Sequence, residues 1–146
     1  MKNSALFVAF FAFIIYFSGC KKDNDEDCIV GNGDLKQETR DVGDFSHINA
    51  NGAFNISFSQ TSASQVDLFG DSNILPIIST TISQGSLNIT TLDDNCYSSQ
   101  NMIEITATSP DFDGVTLNGA GKIEAHNITT DQLRFETNGS VTINSS

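Results

Sequence analysis

Four aspartates are the best candidates for metal or acid–base chemistry in this sequence. Asp93 and Asp94 are adjacent, and Asp111 and Asp113 flank a single phenylalanine. Carboxylate oxygens can bind calcium, and a pair of carboxylates on either side of a sugar linkage can act as acid and base. Because acidic loops are most often only solvated, calcium binding and polysaccharide cleavage are minor hypotheses here.

Other signatures of catalysis are missing from the sequence. The two histidines, His47 and His126, have no His, Glu or Cys at metal-ligand spacing. The chain also lacks a Gly-x-Ser-x-Gly nucleophile elbow, a phosphate-binding loop and a Gly-Gly-x-Gly-x-Asp calcium repeat. We therefore predict a protein that is not an enzyme and has no cofactor.

Cys20 ends an N-terminal leader with the properties of an export signal. The leader contains the basic residue Lys2, the uncharged segment 5–17 and the small residues Ser18 and Gly19. That segment is too short to span a bilayer, which needs roughly 20 apolar residues. Ser18 and Gly19 resemble the small pair that lipoprotein signal peptidase requires. We predict a signal peptide at 1–19 and lipid attachment at Cys20, with an ordinary secretory leader as the alternative.

Residues 20–30 are predicted to be an acidic flexible tether. After Cys20 come two lysines and then a run of acidic residues with no apolar side chain to bury. This cluster resembles the signal that follows the lipidated cysteine in Bacteroidetes lipoproteins displayed on the cell surface. We therefore predict an outer-membrane lipoprotein facing outward, with a periplasm-facing spacer as the alternative.

The charge of the chain excludes two classes of partner. The sequence has 18 acidic and 7 basic residues and a net charge of −11. Nucleic acid binding needs clustered Lys and Arg, and the chain has no such cluster beyond the tether. Anionic lipid would not attract this surface either, so we expect membrane contact through the acyl chains alone.

Cys28 and Cys96 form an even pair once Cys20 is acylated. An exported protein folds in an oxidising compartment, so we predict a disulfide between them. A loop of this length would add about 4 kcal/mol of stability in the chain-entropy model. Two unpaired buried thiols are the alternative.

Residues 31–146 are predicted to form a single all-β domain. Apolar and polar residues alternate with a period of two, as at 54–59 and 102–108, and glycines interrupt the chain at intervals. Runs of good helix formers are lacking, and Pro76 limits the only candidate helical turn, at 71–78.

An internal repeat predicts how these strands are arranged. Three segments read strand, Asn-Gly, small residue, strand, and their turn residues are Asn51, Gly52, Asn118, Gly119, Asn138 and Gly139. The last two copies are 20 residues apart, close to one coil of a β-solenoid. We predict a right-handed β-solenoid-like stack of short strands with Asn-Gly corners. An antiparallel β-sandwich of hairpins is the alternative.

Several motifs, in this order and spacing, resemble the head GIN domain family, which is named for auto-transporter adhesins and is common in Bacteroidetes. They lie at 31–33, 38–42, 52–56, 73–76 and 85–87, and again at 117–121 and 135–140. The resemblance covers roughly residues 31–144. It implies an exported all-β domain of solenoid-like coils with a role in adhesion, and it supplies no established catalytic residues.

Family members usually continue for several more rungs beyond the third Asn-Gly corner. We therefore expect an unfinished C-terminal edge that exposes Val141 and Ile143. Such an edge would invite self-association or mark a truncated gene product.

Together these features predict a membrane-anchored, non-catalytic adhesion or binding module with a glycan or protein ligand. A structural envelope lipoprotein on the periplasmic face is the first alternative. A polysaccharide-active enzyme is the second.

Overall fold

The computed structural model describes residues 28–146, so the predicted signal peptide, Cys20 and most of the tether lie outside it. The described chain is all-β, which confirms the predicted class. Its ten strands are β1 (Ile29–Val30), β2 (Leu35–Arg40), β3 (His47–Gln60), β4 (Gln65–Asp71), β5 (Ile78–Ser83), β6 (Ser86–Thr91), β7 (Tyr97–Ser98), β8 (Ile103–Ser109), β9 (Gly114–His126) and β10 (Arg134–Ser145). Two short 3-10 turns, Leu75–Ile77 and Leu92–Asp94, connect strands.

The three sequence repeats lie side by side as the parallel strands β3, β9 and β10. Asn51 pairs with Asn118, and Asn118 pairs with Asn138. The ladder between neighbouring strands continues through each Asn-Gly pair, so these pairs lie inside long strands and not in hairpin turns. At this corner β3 changes its other neighbour. Its first arm, 47–50, pairs with β6, and its second arm, 54–60, pairs with β8.

Antiparallel pairs extend the sheet beyond β6 and β8, which themselves run parallel to β3. Strand β5 pairs with β6 beside the first arm, while β8, β4 and β2 follow one another beside the second arm. The sheet is not closed into a barrel. Its longest path runs β10-β9-β3-β8-β4-β2, and β6 and β5 branch from β3, so β10, β2 and β5 are its edge strands within the described residues.

One hydrophobic core joins the two arms. Ile48 and Ala50 of the first arm and Phe54, Ile56 and Phe58 of the second are all at most 1% exposed. They alternate with polar residues along β3, as the period-two pattern predicts. The Phe58 ring stacks on Phe112 with 3.6 Å between centroids, and Phe45 meets Phe58 edge-on. Alternation therefore sets which face of each strand is buried.

Within the described residues, paired structure includes positions before residue 31, where the sequence placed the start of the domain. Cys28 and Cys96 are disulfide-bonded, and β1 pairs with β7 immediately after them. The predicted tether, 20–30, therefore includes a paired strand at Ile29–Val30. The sequence missed it because two residues are too few to show any period.

Strand β7 also contacts the first corner of the stack, which lies in β3. Residues 51–53 of β3 lie beyond the end of the β6 ladder and before the start of the β8 ladder. The Tyr97 hydroxyl donates a hydrogen bond to the Ala53 carbonyl in this gap, at 3.0 Å. Burial raises the pKa of Tyr97, although the backbone bond opposes the rise. The hydroxyl therefore stays protonated and donates to a carbonyl on the side of β3 that neither β6 nor β8 covers.

The stack requires glycine at its corners. Gly119 and Gly139 both have positive φ, at +144° and +138°. A Cβ at position 119 would lie 2.0 Å from the Gly52 carbonyl oxygen, and one at position 139 would lie 1.9 Å from that of Gly119. Beside them the asparagines form a ladder, in which Asn118 Nδ2 donates to Asn51 Oδ1 at 2.9 Å and Asn138 Nδ2 donates to Asn118 Oδ1 at 2.7 Å. Each corner thus fits the backbone of the previous one.

We predict that Gly119→Ala destabilises the protein far more than Gly85→Ala. Both glycines have positive φ, so each alanine pays a backbone penalty of about 1–2 kcal/mol. Position 85 has nothing within 4 Å of a Cβ, whereas position 119 meets backbone. The loss for Gly119→Ala should therefore be about 4 kcal/mol or more, or the variant should fail to fold. Urea unfolding measures both, and equal losses would contradict the stacked corner.

Candidate functional site

The outer side of the sheet carries two rows of side chains that cross six strands. Along β2, β4, β8, β3, β9 and β10, the register aligns one row as Gln37, Phe69, Glu104, Asn55, Lys122 and Thr142, and the next as Thr39, Asp67, Thr106, Ser57, Glu124 and Asn144. We call these twelve residues the outer face. With strands about 4.8 Å apart, each row is about 24 Å long.

Phe69 is the large apolar side chain of the outer face. It is 37% exposed, while its neighbours Leu68 and Gly70 are buried on the opposite side of the strand. Across the ladders it faces Gln37 on β2 and Glu104 on β8. An exposed ring between amide and carboxylate groups offers both apolar contact and hydrogen bonds to a ligand.

Two shallow depressions lie on this face. One, of about 240 Å³, is lined by residues of β3, β8 and β9, including Lys122 and Glu124. The other, of about 310 Å³, is lined by β2, β4 and β8 and includes Phe69 and Asp67. Glu104 and Thr106 line both, so the two depressions are adjacent, and we call them together the trough.

Two carboxylates of the outer face, Asp67 and Glu124, have pKa values that hydrogen bonds from their neighbours lower. The Thr39 hydroxyl donates to Asp67 Oδ1 at 2.5 Å, and this bond lowers the pKa of Asp67 more than burial raises it. Gln65 and Gln37 bonds lower that pKa further. The Lys122 ammonium lies 2.6 Å from Glu124, and its hydrogen bond is the main cause of the lowered pKa of Glu124.

Glu104 differs from these two acids. It is exposed at the centre of the trough, and within residues 28–146 no hydrogen bond or ion pair to its carboxylate is found. With three acids and one lysine, the outer face is net negative, which disfavours anionic ligands.

The four aspartates singled out in the sequence do not form a metal site within the described chain. Asp93 lies in the 3-10 turn Leu92–Asp94, and the side chain of Asp94 lies outside what the structure describes. Asp113 instead bonds to protein groups, accepting from the Ser46 hydroxyl at 3.1 Å and contacting His47. Among the residues the structure describes, no group of three or more His, Cys, Asp or Glu could hold a metal ion.

Sequence reasoning missed a relay that involves His47. Its Nδ1 lies 2.9 Å from Asp113 Oδ1, and its Nε2 lies 3.0 Å from the Thr116 hydroxyl. The order hydroxyl, imidazole, carboxylate is that of acyl-transfer enzymes. However, Thr116 lies near the start of β9 with a paired strand on each side. The neighbouring backbone N–H groups therefore bond within the sheet and are not free to bind an oxyanion.

The His47 relay therefore acts as a tie between strands. It joins the start of β3 to the start of β9, which are adjacent in space but far apart in sequence. In the sequence, the one indication of this contact is the distance of each residue from an Asn-Gly corner. His47 lies four residues before Asn51, and Thr116 lies two residues before Asn118.

A larger cavity, about 360 Å³, lies beside the disulfide and is lined by 30–33, Asp71 and 98–101. Asp71 is 1% exposed. It accepts hydrogen bonds from the Gly33 N–H at 2.6 Å and from the Ser99 hydroxyl. These hydrogen bonds join the loops to Asp71, at the end of β4. Because protein groups already bond to the Asp71 carboxylate, it is not free for a ligand, and the outer face is the better candidate for ligand binding.

No helix within the described residues is long and apolar enough to cross a membrane. The predicted attachment site, Cys20, lies outside those residues.

Comparison with known proteins gives one family and several similar folds. The family model described as "Putative auto-transporter adhesin, head GIN domain" matches residues 44–146. No curated protein matches the chain.

Three solved structures from Bacteroidetes are similar to this chain. A "putative adhesin" from Bacteroides fragilis has a TM-score of 0.71 at 24% identity, covering 80% of this chain and 55% of that one. A "putative adhesin" from Parabacteroides merdae has a TM-score of 0.67 at 18% identity, with 82% and 55% coverage. A "putative lipid binding protein" from Parabacteroides distasonis has a TM-score of 0.67 at 17% identity, with 79% and 54% coverage. The chain thus spans little more than half the length of each, and at these identities the likeness shows the fold alone.

We predict that Thr39→Val lowers stability at pH 7 but much less at pH 2. The pKa of Asp67 is lowered from 3.8 in the folded protein. The stabilisation that ionised Asp67 contributes is therefore fully present above its unfolded pKa of 3.8. It is lost as the pH falls through the lower pKa of the folded protein. Thr106→Val is the matched control, because Thr106 lies opposite Asp67 on β8. Denaturant unfolding at both pH values measures the difference, and a pH-independent loss for Thr39→Val would contradict the assignment.

Proposed function

Because the chain belongs to the family described as "Putative auto-transporter adhesin, head GIN domain", we propose that it is a non-catalytic binding module whose ligand lies on the outer face. The family is described as an adhesin and not as an enzyme. The observation on which the proposal rests is the trough around Glu104 and Phe69, with its exposed ring and unpaired carboxylate.

The chemistry of the outer face favours a neutral carbohydrate. A sugar ring has an apolar C–H face that can lie on Phe69 and hydroxyls that can bond to both donors and acceptors. The trough supplies donors from Asn55 and Lys122 and an acceptor from Glu104. Its net negative charge disfavours sulfated or uronic acid polymers. Shallow, wet and polar surfaces of this kind suit weak contacts repeated along a polymer.

The proposal also includes anchoring and exposure. Cys20 would hold the domain on the outer membrane through acyl chains, and the acidic tether would hold it away from a surface of like charge. An adhesin-type family agrees with a location in the envelope. A structural envelope lipoprotein facing the periplasm is the alternative, and it requires no ligand.

The finer architecture belongs to the same proposal. We interpret β3, β9 and β10 as successive rungs of a right-handed solenoid-like stack, which their parallel register and stacked corners support. The antiparallel pairs β2–β4, β4–β8 and β5–β6 do not follow that pattern, so a sandwich is the alternative description.

We predict that protease added to intact cells cleaves an epitope-tagged full-length chain. A control variant, Cys20→Ser, should move from the membrane fraction to the soluble fraction, because it lacks the acylated thiol. Immunoblots of whole and fractionated cells measure both. Protection until the outer membrane is opened would favour the periplasmic alternative, and a Cys20→Ser protein that stays in the membrane fraction would contradict lipid attachment.

We predict that Phe69→Ala weakens binding to immobilised neutral glycans by about tenfold or more, since a central aromatic contact dominates such surfaces. Ile82→Ala is the matched control, because Ile82 is 36% exposed, nearly the same as Phe69, but lies on β5 outside the outer face. A glycan array probed with the full-length protein and both variants gives the result. Equal binding by Phe69→Ala and the unchanged protein, or an equal loss for Ile82→Ala, would exclude the outer face as the binding surface.

A further inference from the structure

Three exposed apolar side chains surround the cavity beside the disulfide. Leu35 pairs in register with Asp71, whose buried carboxylate lines that cavity. Val30 also lines it, and Met102 directly follows the lining residue Asn101. Val30, Leu35 and Met102 are 70%, 41% and 40% exposed, and we call these three residues the apolar rim. Exposed apolar side chains that are grouped in this way mark a contact surface, unlike ones scattered singly.

The apolar rim is electrically neutral although the chain as a whole is acidic. Its residues belong to the segments 29–36 and 96–103, in which the charged residues are Asp34 and Lys36. These two form an ion pair, with 3.6 Å between Lys36 Nζ and Asp34 Oδ2. The rim can therefore meet an apolar medium without burying an unpaired charge.

The backbone beside the rim already has hydrogen-bond partners within the protein. Asn73 Nδ2 donates to the Val30 carbonyl at 2.8 Å, and Asn73 Oδ1 accepts from the Asn32 N–H at 3.1 Å. The Gly33 N–H donates to Asp71 at 2.6 Å. Lipid hydrocarbon offers no partners for backbone groups, so a surface that contacts it must satisfy them internally. The rim meets this requirement and is held in place by the same bonds.

The rim lies at the end of the domain where the chain enters it. Val30 comes two residues after Cys28, which the disulfide joins to Cys96. Cys20, the predicted site of lipid attachment, is eight residues before Cys28, and a fully extended chain of that length reaches only about 28 Å. Residues 21–27 are all polar or charged, so they cannot cover apolar side chains. An anchor at Cys20 would thus keep the rim close to a bilayer, at a high effective concentration.

We propose that the apolar rim contacts the bilayer to which the chain is anchored, at lipids without net charge. The inference rests on the anchoring at Cys20 that is part of the proposed function. Anionic lipid would repel the acidic chain and hold the domain away, so the contact is apolar and belongs to zwitterionic lipid. It gives the domain one orientation on the membrane. The outer face stays open, because its nearest row lies two residues further along β2, β4 and β8.

A tryptophan placed in the rim tests the contact, because the chain has none of its own. Met102→Trp is made in the full-length chain, which is extracted from cells, reconstituted into phosphatidylcholine vesicles with brominated acyl chains and isolated by flotation. Side chains at such an interface lie about 5–10 Å into the headgroup and acyl boundary, so bromine should quench this variant about threefold more than Ile82→Trp. Val30→Trp provides an independent second reporter with the same expectation.

Ile82→Trp is the matched control for the intrinsic preference of tryptophan for membrane interfaces. Ile82 is 36% exposed on β5, close to the value for Met102. It also lies in an uncharged segment, 72–92, but outside the rim. Equal quenching of the rim and control variants would overturn the proposal and leave the anchoring intact. A chain that does not float with the vesicles would overturn the anchoring and this proposal with it. A blue-shifted emission without quenching by bromine would indicate a protein partner at the rim and would also overturn it.

A second measurement tests whether the native rim side chains make the contact. Leu35→Ser, added to Met102→Trp, should lower bromine quenching by about half or more, because it removes one of the apolar side chains that enter the interface. Ile82→Ser in the same background should leave the quenching unchanged. Quenching that persists in full with Leu35→Ser, or that falls equally with both serine variants, would contradict the rim as the contact surface.

Discussion

The close stacking of backbone at the Asn-Gly corners is the constraint on which the other contacts depend. A carbonyl oxygen of one rung occupies the space where the next rung would have a Cβ, at 2.0 Å from position 119 and 1.9 Å from position 139. Glycine therefore fixes the register of β3, β9 and β10 at one point. Because side chains alternate along a strand, fixing one point fixes the facing of the whole strand.

The same constraint explains why the long insertion between β3 and β9 is tolerated. Asn51 and Asn118 are hydrogen-bonded although 67 residues separate them, while Asn118 and Asn138 are 20 apart. Strands β4 to β8 lie in the longer interval, and two of them, β6 and β8, pair with the two arms of β3. Loop closure costs rise slowly with length, so a corner that fits well can accept a neighbour from far along the chain.

Much of the fold could be predicted from the sequence, because its signals are local. Alternation at 54–59 places Phe54, Ile56 and Phe58 on the buried face, where the structure has them. The candidate site could not be predicted in the same way. Phe69, Glu104 and Asn55 come from three strands, and only the register brings them into one row. The His47 relay has the same origin, since Asp113 and Thr116 reach it through the β3–β9 pairing.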